Sequence, residues 1–134
     1  MKEITVAAEI QNIGTLTLFI HEALKDMNCG KKALMQISMA VDEIFSNIAL
    51  YAYQGAPGEA TVQIEEEGDC AKLTFIDSGI PYNPLAKEDP DTTLDAEKRA
   101  IGGLGIFLVK KTMDDMFYTR TENQNVLTIL KKIR

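Results

Sequence analysis

The stretch VDEIFSNIALYAY at residues 41–53 decides the fold of this chain. Its apolar residues recur every three or four positions, which indicates a helix with one buried face. DSGIPYNP, at residues 77–84, indicates a strand that ends in a turn, and IGGLGIFLV, at 101–109, indicates a helix preceded by glycines. An acid and an amide on one helix, an acid at a strand end and a glycine-rich helix start can together hold a nucleotide and a metal ion.

Glu43 and Asn47 lie four residues apart and therefore project from the same side of their helix. The amide oxygen of Asn47 is a neutral, hard ligand that suits Mg²⁺, an ion that keeps several waters and shares phosphate oxygens. Glu43 can accept a proton from an attacking hydroxyl or water. Met39 and Leu50 share this sector of the helix, which predicts a polar pair at the floor of a pocket with apolar walls. The alternative is an ordinary solvated helix face.

Asp77 ends the apolar run of a predicted strand. A carboxylate there can accept a hydrogen bond from the exocyclic amine of adenine, a contact that guanine cannot offer. Gly79 would let the backbone approach a flat ring, and Pro81 would stiffen the turn. Taken alone, the segment is also typical of a simple Asp-Ser-Gly turn.

Three glycines, Gly102, Gly103 and Gly105, precede the helix that continues with Ile106. Backbone N–H groups and the positive end of the helix dipole would then face a phosphate. The segment lacks the Gly-Lys-Ser/Thr of a P-loop, and it does not follow a strand as a dinucleotide-binding fingerprint does. Both of those enzyme classes are therefore disfavoured.

The hydrophobic pattern predicts an α/β two-layer sandwich with a mostly antiparallel mixed sheet and helices on one face. The predicted strands are 2–8, 60–66, 71–77, 116–121 and 126–132, and the predicted helices are 12–27, 31–53 and 104–114. All 134 residues are expected to form a single domain. The polar segment at about 84–101 is long for a connection in a compact domain, which predicts a lid over the bound ligand.

Composition excludes several classes of function. The net charge of −6 and the lack of a basic cluster argue against nucleic-acid binding. The apolar runs are short for a membrane span and no signal peptide is evident, so we expect a cytoplasmic protein without a membrane partner. Cys29 and Cys70 are expected to be free thiols, and the single histidine, His21, is expected to be structural.

At these residues the sequence resembles the ATP-binding superfamily of gyrase, histidine kinases and MutL, which has the Bergerat fold. Glu43-x-x-x-Asn47 resembles the N box of the superfamily, DSGIP at 77–81 its first glycine box, and GGLGI at 102–106, which includes Leu104, its second. VDEIFSNIALYAY and GLGIFLVKKTMDD are most similar to the anti-sigma-factor serine kinases of bacterial partner-switching systems.

This resemblance implies binding of Mg-ATP, with Asn47 on the magnesium and Asp77 on the adenine. It implies that Glu43 is the base that activates a serine or threonine of an anti-anti-sigma (STAS-type) partner. Thr128 matches a position where family members often hold adenine through a water molecule. Arg99 resembles a basic residue that some members place near the γ-phosphate, although two residues separate it from the glycines.

The sequence leaves three functions open. The first is a protein serine kinase that also sequesters a sigma factor, and we expect such a protein to form a homodimer. The second is a non-catalytic, ATP-dependent binding module, and the third is an ATPase that drives a conformational switch. Glu43 favours a catalytic role, since a pure binding module needs no base at that position.

Overall fold

A computed structural model describes residues 1–86 and 103–134 of the chain. These residues form a five-stranded sheet and three α-helices. The strands are β1 (Lys2–Ala7), β2 (Glu59–Glu67), β3 (Cys70–Asp77), β4 (Asp115–Thr121) and β5 (Gln124–Lys132). The helices are α1 (Ile13–Asp26), α2 (Lys31–Asn47) and α3 (Gly103–Thr112).

The strands lie in the order β1-β2-β3-β5-β4, and every neighbouring pair among the described strands is antiparallel. The predicted two-layer sandwich is therefore confirmed, with an antiparallel sheet in place of the mixed one. Within this sheet β3 pairs with β5, so Asp77 lies directly opposite Asn125. The predicted last strand began at residue 126, but the structure starts β5 at Gln124 and so includes Asn125 in the ladder.

Alternate residues of the strands point to the helices and form the core with them. The fully buried large side chains come from both layers: Leu16, Ile20, Leu24, Ile37, Val41, Phe45, Val62, Ile64, Leu73, Phe75 and Ile129. Burying this apolar surface between sheet and helices is the main favourable term for the fold. The core anchors α2 against the sheet, which fixes the position of the polar pair near its end.

The predicted helix 31–53 is not one regular helix. Regular α-helix ends at Asn47, and a π-helical turn follows over Ile48–Ala52. π turns are rare and occur often at functional sites. Here the wider turn keeps Ile48 and Ala52 buried while it carries Tyr51 to the surface.

The helical segment Lys31–Ala52 is long and apolar enough to cross a membrane, judged by length and composition alone. The expectation that no apolar stretch reaches that length therefore needs correction. The core helix of a soluble protein passes the same test, and Ile37, Val41 and Phe45 of this segment are buried against the rest of the chain.

Candidate functional site

A pocket lies between α2 with its π turn, the ends of β3 and β5, and the first turns of α3. Its walls are mostly apolar, and polar groups occur at only a few points, as in sites that bind flat organic rings. The lining residues are Ile44, Asn47, Ile48, Tyr51, Ala52, Phe75, Asp77, Ile80, Tyr82, Pro84, Ile106, Tyr118, Asn125 and Leu127.

Met39 and Leu50 do not form the walls of this pocket, contrary to the expectation from the helical wheel. They are 58% and 56% exposed and lie on the outer side of the helix. The walls instead come from core positions such as Ile44 and Ile48 and from the sheet. The wheel gave the wrong walls because it cannot locate the sheet and α3 relative to the helix.

Asp77 is the last residue of β3, as predicted, and only 6% of it is exposed. Its Oδ1 accepts two hydrogen bonds, each of 2.9 Å, from the backbone N–H of Gly79 and from Nδ2 of Asn125. Among the described residues, no hydrogen bond reaches Oδ2. One oxygen is thus occupied by the protein, and the other is free to accept a hydrogen bond from a ligand in the pocket.

Asn125 lies in the pocket as well, although it belongs to none of the sequence motifs. It is 5% exposed, and its Nδ2 also donates to the carbonyl of Ile80 at 2.8 Å. Its Oδ1 accepts from the backbone N–H of Tyr82 at 3.2 Å and from the hydroxyl of Tyr118 at 2.5 Å. Two signals could have identified it. Asn125 alternates with the apolar Leu127 along a strand, and that strand pairs with the one that ends at Asp77.

Thr128 is not brought to the pocket, and this corrects its expected place beside the ring. Side chains alternate along β5, so the buried residues Asn125, Leu127 and Ile129 face the helices. Thr128 lies on the opposite face of the sheet, where its register partners are Thr74 and Phe117.

The turn after Asp77 is held close to the helix layer. The backbone N–H of Ile80 donates to the carbonyl of Ala52 at 2.9 Å, and Arg120 Nη1 donates to the carbonyl of Gly79 at 2.8 Å. A Cβ at position 79 would overlap the Ala52 backbone, so Gly79 is required by this close approach. Pro81 is exposed and does not line the pocket.

Glu43 and Asn47 are half-buried and contact each other across one helical turn. Asn47 Nδ2 donates to Glu43 Oε1 at 3.3 Å. This bond leaves the amide oxygen of Asn47 available as a ligand, and Asn47 lines the pocket. Glu43 does not line it, but lies against the first turn of α3, where a Cβ at position 105 would overlap its carboxyl group.

The start of α3 meets the predictions only in part. Gly103 is its first residue, and Ile106 is buried and lines the pocket. The predicted site residues Arg99 and Gly102 lie outside the described residues, as do the side chain of Leu104 and residues 87–101 of the predicted lid.

His21 and the two cysteines lie outside the pocket, as their interpretation as structural residues predicts. His21 Nε2 lies 2.5 Å from Ser38 Oγ, which itself donates to the carbonyl of Leu34 at 2.9 Å, so this contact joins α1 to α2. Both cysteines are free thiols. Burial raises the pKa of the Cys29 thiol, which makes it a poor nucleophile at neutral pH.

Comparison with known proteins gave related sequences. The family model for the histidine kinase-like ATPase domain matches residues 6–131. A serine-protein kinase RsbW from Listeria monocytogenes is 31% identical over 90 residues, which cover 63% of this chain and 57% of that protein. The RsbW of Bacillus mycoides is 24% identical over 129 residues, covering 93% of this chain and 81% of that protein. The chain thus spans little more than half the length of the Listeria relative.

Solved structures with the same fold include the RsbU and RsbW domains of Rv1364c from Mycobacterium tuberculosis. That match has a TM-score of 0.64 at 12% identity and covers 99% of this chain and 33% of the other. The histidine kinase AdeS of Acinetobacter baumannii matches with a TM-score of 0.53 at 14% identity, over 100% of this chain and 70% of that one. At these identities the likeness concerns the fold alone.

Proposed function

The chain belongs to the histidine kinase-like ATPase domain family, and from this premise we propose that it binds Mg-ATP and phosphorylates a serine or threonine of a partner protein. One observation carries the proposal. The apolar pocket has Asp77, with an unoccupied carboxylate oxygen, on its lining, and Asn47, paired with Glu43, at another point of the same lining. These two polar points suit the base and the phosphates of a nucleotide.

The base would enter the apolar part of the pocket, between Ile48 and Leu127. Oδ2 of Asp77 would accept a hydrogen bond from the exocyclic amine of adenine, since Oδ1 already has two donors. A guanine in the same orientation would present a carbonyl oxygen to the carboxylate, and two acceptors repel each other. The proposed site therefore prefers adenine nucleotides.

The residues present fit a magnesium ion that is shared with phosphates. Asn47 would bind it through Oδ1, because Nδ2 is directed to Glu43. The described residues contain no cluster of three histidine, cysteine or acidic side chains, so phosphate oxygens and waters would complete the coordination. Bound Mg²⁺ would neutralise charge that develops on the transferred phosphoryl group.

Glu43 is the proposed general base. It lies one helical turn from Asn47 and against the first turn of α3, where helix N–H groups favour a phosphate. The acceptor hydroxyl oxygen would form a bond to the γ-phosphorus, while the bond from that phosphorus to the β–γ bridging oxygen breaks. The proton of the hydroxyl would pass to the Glu43 carboxylate.

The acceptor is proposed from the resemblance to anti-sigma-factor serine kinases and from the names of the RsbW relatives. It would be an anti-anti-sigma (STAS-type) protein, and the chain would also bind a sigma factor, as a cytoplasmic homodimer. We further propose that residues 84–101 close over the phosphates when nucleotide binds.

The test is incubation of the purified protein with γ-labelled ATP, Mg²⁺ and STAS-type proteins encoded by neighbouring genes. Transfer of label to a serine or threonine of one of them is the expected result. Binding of ATP without transfer to any of them would favour the non-catalytic binding module. Release of phosphate without any partner would favour the ATPase switch.

A further inference from the structure

Every polar group of the Asn125 side chain has a partner within the protein. An amide has two donor hydrogens and an oxygen that accepts up to two hydrogen bonds. Its two donors go to Asp77 Oδ1 and the Ile80 carbonyl, and its oxygen accepts from the Tyr82 backbone N–H and the Tyr118 hydroxyl. Asn125 therefore has no hydrogen-bonding capacity left for a ligand, although it lines the pocket.

Two of these partners fix the orientation of the amide. The Ile80 carbonyl can only accept and the Tyr82 backbone N–H can only donate, so Nδ2 must face the former and Oδ1 the latter. With Oδ1 placed in this way, the Tyr118 hydroxyl must donate to it over 2.5 Å. Nδ2 then necessarily donates to Asp77 Oδ1.

These bonds give the two oxygens of Asp77 different surroundings. Oδ1 receives Asn125 Nδ2 and the Gly79 N–H, each at 2.9 Å, so any tilt of the carboxylate plane weakens both bonds. Because Asp77 and Asn125 are 6% and 5% exposed, water does not readily replace those bonds. The carboxylate is thus held in one orientation, and Oδ2 is its oxygen without a hydrogen bond from the described residues.

We propose that Asn125, oriented in part by Tyr118, is the positioning residue that sets the base selectivity of this site. It acts only through Asp77, by holding the carboxylate in the orientation in which an oxygen without a protein donor can accept from the base. This inference rests on the proposed nucleotide binding. It adds two residues of β4 and β5 that no motif marks and that need not touch the ligand.

A purely structural role for Asn125 would have a different consequence. Its bonds to Ile80 and Tyr82 also hold the turn after β3, so its loss could weaken the binding of every nucleotide alike. Selectivity between bases separates the two roles. ATP and ITP are suitable probes, because they differ at the exocyclic amine or oxygen that Asp77 would contact and at the adjacent ring nitrogen N1, and in no other group.

The experiment measures the dissociation constants of Mg-ATP and Mg-ITP by calorimetry for the parent and for three variants. The parent should prefer ATP. Asn125→Leu should reduce that preference about tenfold, as expected when a charged group loses a buried hydrogen-bond donor. Tyr118→Phe removes only one hydroxyl and should reduce it about two- to fivefold. Thr128→Val, in the same strand on the opposite face, should leave the preference unchanged.

A second arm uses the Asp77→Asn background. There, Asn125 should fix the new amide with its nitrogen toward the pocket, so that ITP binds better than ATP. In the double variant Asp77→Asn/Asn125→Leu only the Gly79 N–H still favours the amide oxygen at that position, so the preference for ITP should decrease. A role confined to folding predicts that this preference persists.

An Asn125→Leu variant that keeps the ATP:ITP ratio of the parent would overturn the inference and leave the proposed function intact. If that variant does not fold, an unchanged ratio in Tyr118→Phe overturns the inference instead. A parent that binds neither nucleotide overturns both proposals, so the two failures are distinguishable.

Discussion

Asp77 and Asn125 lie directly opposite each other in the neighbouring strands β3 and β5, and a 2.9 Å hydrogen bond joins their buried side chains. This pairing relates the sheet register to the chemistry of the pocket. A slip of one residue in β5 would turn Asn125 to the other face, since side chains alternate along a strand. The carboxylate would then lose one of the two donors that occupy Oδ1.

The first prediction concerns Asp77→Asn. The two donors at Oδ1 require an acceptor, so the oxygen of the new amide should take that position and its nitrogen should face the pocket. ATP binding should weaken by about 1–3 kcal/mol, because the adenine amine loses its acceptor. ITP binding should improve relative to ATP, since the new donor matches its oxygen.

Calorimetric titration with ATP, ITP and GTP checks this prediction. Ser78→Ala is a matched control, because Ser78 is the adjacent residue, is exposed and does not line the pocket. Equal affinity of the parent protein for ATP and GTP would contradict the assignment of Asp77 to the base.

Much of the fold could be predicted from the sequence because its signals are local. The spacing of Ile37, Val41, Ile44 and Ile48 predicts the buried face of α2, and strand alternation predicts the sheet. The π turn at Ile48–Ala52 could not be predicted, since its apolar pattern also fits a regular helix. The start of β5 was missed because Gln124 and Asn125 resemble turn residues.

The site residues that belong to a sequence motif could be predicted. The residues that reach the site only through the pairing of strands could not. Glu43, Asn47 and Asp77 were marked by their spacing, and the structure brings the latter two to one pocket. Asn125 comes near Asp77 only through the pairing of β3 with β5, which are separated along the chain by α3 and β4. Thr128 was expected at the site from the resemblance alone. It lies three residues after Asn125 in the same strand, and an odd separation places it on the other face of the sheet.

The second prediction concerns Asn47→Ala, which should abolish the dependence of nucleotide binding on Mg²⁺. Its amide oxygen is the only protein ligand that we propose, and alanine has no oxygen to replace it. Titrations with ATP in the presence of Mg²⁺ and of EDTA measure the effect. Ser46→Ala, one residue earlier and outside the pocket lining, serves as the control. If the variant still binds ATP better with Mg²⁺, to the same extent as the parent, Asn47 is not the metal ligand.

The third prediction concerns Gly105→Ala. The added methyl group would overlap the Glu43 carboxyl, so the Glu43 side chain must turn away from the first turn of α3. Because these atoms are the far end of a flexible side chain, the free energy of unfolding should fall by no more than about 1 kcal/mol, measured by urea denaturation. Gly14→Ala is the control, because a Cβ at that helical position meets nothing within 4 Å.

A double variant tests whether the clash with Glu43 is the cause. Glu43→Ala/Gly105→Ala removes the carboxyl group that the new methyl group meets, so it should recover most of the lost stability. Strictly additive losses in the double variant would show that the two residues do not compete for the same space.

The last prediction concerns Glu43→Gln and separates a kinase from a binding module. Glutamine keeps an oxygen that can accept the 3.3 Å hydrogen bond from Asn47, but it cannot take the proton of an attacking hydroxyl. ATP affinity should stay within a few-fold of the parent, while transfer to a partner serine should slow by about 10²–10⁴, the usual contribution of a positioned base. Asp42→Asn is the control, since this neighbouring carboxylate is exposed and should have no effect. Single-turnover transfer from γ-labelled ATP measures the rate, and a Glu43→Gln protein that phosphorylates its partner at the parent rate would refute the catalytic role.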